Sequence, residues 1–171
     1  MHHILIFLLI IFTVTLEAQD CGTVKGSAFE RTTISGKAPR KILDETGTQV
    51  EVPMKNQSTL FIYIEANRNC NMKSYRIWID GKPFALLQEE VTQTPIIIQN
   101  AYPGGIADTL VRKTVNKVFR LEPKQELKVS PGKKIRKQLS ESKILVEYSY
   151  NAGTGSCIIK DIKKLAPLVL Q

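Results

Sequence analysis

The chain has 171 residues, a formal charge of +8, three cysteines and two histidines. Both histidines, His2 and His3, fall in the first 18 residues. A mature chain without that segment has none, which excludes Ser-His-Asp and Cys-His catalysis and the usual His-containing zinc sites.

Residues 1–18 (MHHILIFLLIIFTVTLEA) read as a secretory signal peptide. The apolar stretch Ile4–Ile11 is short of the about 20 apolar residues a spanning helix needs. With Phe12–Leu16 it forms the apolar region of a signal, and small Ala18 precedes the cut, although the leading residues lack Lys and Arg. Ala18, Gln19 and Asp20 before Cys21 do not suit a lipoprotein signal peptidase. The expected mature chain is therefore 19–171, a single domain. It is periplasmic or extracellular, has no transmembrane segment, and is long enough to bury a core without disulfides.

Next come short β-type runs divided by turn residues. Lys41–Asp44 and Thr48–Val52 flank Glu45-Thr46-Gly47 as a hairpin. Thr59–Ala66 alternates Leu60, Ile62 and Ile64 with Phe61, Tyr63 and Glu65. Tyr75–Ile79 and Lys82–Leu87 enclose Asp80-Gly81, a strong type I′ hairpin signal. On the first of these strands strict alternation puts Tyr75, Ile77 and Ile79 on one face and Arg76 and Trp78 on the other. Thr94–Gln99, Thr109–Lys113, Val115–Leu121 and Glu126–Val129 follow, with a turn at Tyr102-Pro103-Gly104-Gly105. Lys143–Tyr150 and Ser156–Ile162 form a last hairpin around the loop Asn151–Gly155. No segment offers three clean helical turns; Ile135 and Leu139 have the spacing of one.

About 8–10 short strands at this spacing predict an all-β, antiparallel β-sandwich. The order, with Trp78 on a central strand, resembles immunoglobulin-like and fibronectin-like sandwiches in architecture. The spacing Cys21…Trp78…Cys157 does not reproduce the antibody-domain pattern. In an oxidising compartment two of the three cysteines are expected to pair. Cys70 and Cys157, near strand ends, are the favoured partners.

Few residues suggest chemistry. Asn67, Asn69 and Asn71 alternate in a polar loop, but no carboxylate sits among them for calcium. Glu89 and Glu90 are adjacent and point to opposite faces of a strand. Asp108 and Asp161 are isolated. Neither Cys21 nor Cys70 has a His base or a C-x-x-C partner, and Gly104-Gly105 lacks a phosphate-loop pattern. No cofactor is expected.

Charge is the remaining resource. Losing Glu17 with the signal leaves 24 basic and 15 acidic residues. Arg112–Lys143 alone holds 11 Lys and Arg against three acids. Its densest part is Lys133, Lys134, Arg136 and Lys137, directly after Pro131-Gly132. Such a cluster attracts acidic partners: a lipid headgroup surface, an acidic polysaccharide or an acidic protein. Nucleic acid is not expected, because Phe119 is the sole aromatic in the segment and gives no stacking platform. The leading expectation is a non-enzymatic exported binding or structural module of the cell envelope. One alternative is a barrel carrying a small apolar ligand lined by Leu60, Ile77 and Val146. Another is a carbohydrate hydrolase using two of Glu65, Glu89, Glu90, Asp108, Glu147 and Asp161.

Overall fold

The structure, a computed structural model, describes residues 21–35, 41–43, 48–51, 57–99, 106–151 and 153–170. The signal-peptide segment 1–18 and the turn at Tyr102-Pro103-Gly104-Gly105 lie outside them.

Among the described residues the protein is all-β apart from one short helix. Its strands are β1 (Lys25–Ser35), β2 (Lys41–Leu43), β3 (Gln49–Glu51), β4 (Gln57–Ala66), β5 (Lys73–Ile79), β6 (Lys82–Val91), β7 (Ile96–Ile98), β8 (Asp108–Val111), β9 (Lys117–Glu126), β10 (Ile144–Tyr150), β11 (Gly153–Ile159), β12 (Ile162–Lys164) and β13 (Leu168–Leu170). The helix α1 spans Lys133–Leu139. Nine strands form one sheet in the order β11-β10-β5-β6-β9-β4-β1-β12, with β13 also on β1. The small pairs β2–β3 and β7–β8 stand apart from it.

Only Lys160 and Asp161 separate β11 from β12, yet these strands end opposite sides of the path. Two residues cannot cross a flat sheet of this width, so the sheet curls round on itself. The curl brings β11 against β1. A Cβ on Gly26 would lie 2.6 Å from Ile159 Cγ1 and 2.9 Å from Cys157 Sγ. Glycine at 26 is what permits the approach.

The expectation of an antiparallel sheet is corrected at this seam, where β12 and β13 both run parallel to β1. The described strands form one curled mixed sheet, and the two-sheet immunoglobulin-like arrangement is not established by them. β1 itself, whose pairings with β12 and β13 span the largest sequence separations among the described strands, went unforeseen. Its inward positions hold Gly26 and Ala28, too small to give an apolar alternation.

The inner face of the curl is aliphatic. Ile62 and Ile64 of β4, Ile77 of β5, Leu121 of β9, and Ile144 and Val146 of β10 are fully buried in one cluster. Ile77 and Val146 have no accessible surface, so no water-sized space adjoins them, and Leu60 packs half-buried against the same cluster. At the β5–β6 turn Asp80 and Gly81 adopt φ of 48° and 79°, the conformation expected of Asp-Gly. The expected Glu126–Val129 strand is absent; β9 instead runs unbroken through Pro123 to Glu126.

Cys21 bonds to Cys70, closing a separation of 49 residues. The expected Cys70–Cys157 bridge is thus corrected. Cys157 is a buried free thiol, pushed up to about 11 by desolvation. The curl places Cys157 against β1, while Cys21 at the head of β1 meets the loop between β4 and β5.

Candidate functional site

The outer face of the sheet is covered in two places by different chemistry. Over β1, β4 and β9, the β7–β8 pair covers Phe29, Tyr63 and Val118 with Leu110, Val111, Ile96 and Ile98. A cleft of about 180 Å3 opens beside it, bordered by Lys25, Tyr63, Glu65 and Arg112. Burial raises the Tyr63 phenol above its ordinary range. Glu65 accepts from Asn116 Nδ2 at 2.7 Å and Thr114 Oγ1 at 2.8 Å. Those hydrogen bonds hold its carboxyl below the ordinary range.

Over β10 the cover is α1. Its sequence KKIRKQL consists almost wholly of strong helix formers, and Pro131-Gly132 ends the preceding extended chain. At about 100° per residue, Lys133, Lys134, Arg136 and Lys137 share an arc of roughly 160°. All four are exposed, whereas Ile135, Gln138 and Leu139 on the opposite arc are half-buried. The densest basic run is thus the solvent face of an amphipathic helix, where the Ile135–Leu139 spacing had indicated a single turn. Gly132 supplies no side-chain cap, and the first turn has no acid. Lys133 and Lys134 therefore sit at the helix end where the dipole disfavours cations.

The helix is pinned by a polar bond: Gln138 Nε2 donates to Ser156 Oγ at 2.8 Å. Ser156 of β11 stands opposite Glu147 of β10, which stands opposite Arg76 of β5. Glu147 is a carboxylate with a side chain only 11% exposed. It accepts from Trp78 Nε1 at 2.8 Å and pairs with Arg76 Nε at 3.5 Å. The Arg76 guanidinium lies 5.7 Å from the Tyr75 ring centre and 5.9 Å from that of Trp78.

Alternation alone does not place Tyr75 beside Arg76. Glu147 pairs with Arg76 but Tyr148 pairs with Ser74, so Tyr75 is the extra residue of a β-bulge. A bulge re-aims a side chain locally. Here it turns Tyr75 away from Ile77 and Ile79 and onto the face of Arg76 and Trp78. Burial and then the Glu147 carboxylate raise the Tyr75 phenol. This group, Tyr75, Arg76, Trp78, Glu147, Ser156 and Gln138, was missed as a site. Its parts come from β5, β10, β11 and α1, and the one local signal was the apposition of a Tyr, an Arg and a Trp.

The remaining sequence candidates do not gather. Lys117, Arg120 and Lys124 of the basic segment lie on β9, three strands from β10, or about 14 Å. Lys117 Nζ donates to the Cys70 carbonyl, and Lys124 pairs with Glu122. Glu65 on β4 and Glu147 on β10 stand on strands that are not neighbours, and each is held by its own partners, Asn116 and Thr114 for Glu65 and Trp78 and Arg76 for Glu147. Asn67 Oδ1 accepts from Asn69 N at 3.0 Å, a turn-forming bond. Compared with protein-family models, curated proteins and solved structures, the chain matches none.

Proposed function

We propose that this chain is an exported, non-enzymatic binding module that contacts an acidic partner through the solvent face of α1. The observation that carries this reading is the arc of four cations with no acid in the helix. Two of those cations occupy the helix end where they cost stability. A merely solvated helix would gain from an acid there.

Other features support the reading. A disulfide suits an oxidising compartment. Among the described residues no helix is long and apolar enough to cross a membrane. Export predicts a mature chain beginning at Gln19; mass spectrometry finding an intact Met1 on the protein recovered from cells would overturn that part.

Retention on a polyglutamate resin tests the surface. The wild-type chain is expected to bind and to elute with salt. The variant carrying Lys133→Glu, Lys134→Glu, Arg136→Glu and Lys137→Glu is expected to pass through while remaining folded. Equal retention of the two proteins would refute the α1 surface.

A further inference from the structure

We propose that Tyr75 and Arg76 form a sugar subsite, and that the acidic partner of α1 is a polysaccharide carrying an acid group on successive units. This rests on the acidic-partner reading of α1 and specifies its chemistry.

Arg76 is a preorganised anion fork. Its Nε is engaged by Glu147, and its planar group lies beside two aromatic rings. The side chain is 27% exposed, and the Glu147 ion pair engages Nε and not a terminal nitrogen. A guanidinium held in this way pairs a carboxylate or sulfate bidentately at little further entropic cost. Glu147 balances the charge of Arg76, so Arg76 contributes direction and α1 contributes the long-range attraction.

Tyr75 supplies the second element. Tyr75 is 41% exposed, and its ring stands beside the guanidinium. A pyranose presents a flat C–H face that packs on such a ring while its acid group reaches Arg76. The bulge puts both side chains on one face, where Tyr75 is partly exposed beside the guanidinium.

Dimensions favour a chain over a single sugar. From Arg76 through Glu147 to Ser156, where Gln138 anchors the helix, is two strand spacings, or about 10 Å. A polymer with repeated acids reaches both the fork and the helix. A lipid surface suits the site less well: Trp78 and Leu145, the apolar groups of this face, are buried. Among the described residues, Tyr75 is the one exposed ring beside Arg76, and the large exposed apolar side chains of the protein (Ile106 and Val115 foremost) are not part of this group.

Oligogalacturonate titrated into the full chain tests the proposal, with fluorescence of Trp78 as the signal. Trp78 is the sole tryptophan of the sequence and borders Arg76. The expected result is a saturable change. Tyr75→Ala and Arg76→Lys each weaken binding by about tenfold or more, because one loses the ring and the other the planar fork. Tyr75→Phe keeps the affinity, and the fully methyl-esterified oligomer does not bind. If Tyr75→Ala and Arg76→Lys bind as tightly as wild type while the α1 charge reversal abolishes binding, the subsite is refuted and the α1 surface stands. If phosphatidylglycerol vesicles bind and the oligomer does not, the partner is a lipid and the proposal fails. Absence of binding by wild type to oligogalacturonate also overturns it, whatever the polyglutamate resin shows.

Discussion

The two covers of the outer face differ in what they bury and in how they are held. The β7–β8 pair closes over Phe29, Tyr63 and Val118 with aliphatic side chains, so its seat is mainly apolar and non-directional. Helix α1 sits with two half-buried aliphatics and a hydrogen bond from the Gln138 amide, next to a carboxylate shared by an indole and a guanidinium. Gln138 Oε1 is buried without a hydrogen-bond partner, so even this polar seat is incompletely satisfied. The difference separates a cover that supplies stability from one that gives up stability to present charge and directed donors.

The broadest way to break the comparison is to loosen both regions at once. Cys21 leads into β1 under the apolar cover, and Cys70 precedes β5 beside the polar one. Replacing both with Ser is expected to cost about 4 kcal/mol in the chain-entropy view of a loop this long, measured by urea unfolding.

The covers are then separated by matched truncations. Leu110→Ala removes a side chain 4% exposed, with an expected loss of about 3 kcal/mol. Leu139→Ala removes one that is half-buried at the edge of α1, with an expected loss of about 1 kcal/mol. Equal losses would show that α1 is as firmly seated as the β7–β8 pair.

A smaller effect has the opposite sign. Lys133→Glu with Lys134→Glu is expected to stabilise the fold by about 0.5 kcal/mol per residue at low salt, because acids complement the helix N-terminus. The same variant is expected to lose polyglutamate retention. A gain in Tm together with a loss of binding would separate the role of α1 in recognition from its role in folding.

The finest test is pH. Hydrogen bonds from Asn116 and Thr114 hold Glu65 below its ordinary value of 4.5. Its contribution is therefore complete above that value and is lost as pH falls through the lower folded value. Glu65→Gln is expected to flatten the acid limb of Tm against pH, and an unchanged limb would show that Glu65 does not couple to folding.

Local pattern determined much of this protein. The central strands β4, β5 and β10 follow from alternating or continuous β-branched and aromatic runs. The β5–β6 turn follows from Asp-Gly, because only residues tolerant of positive φ fit it. The concentration of charge near α1 is equally a property of the chain itself, although its helical arc required the sheet beneath it.

Tertiary structure decided the rest. The seam between β11 and β1 depends on a glycine at 26 with nothing apolar to advertise it. Cys21 rather than Cys157 meets Cys70 because of how the curl places β1. Tyr75 joins Arg76 because a register shift against β10 breaks the two-residue alternation, and that shift depends on a strand some 70 residues later in the chain. Period and propensity act between neighbours along the chain. Pairing partners and close approaches exist only between strands that the fold has already brought together.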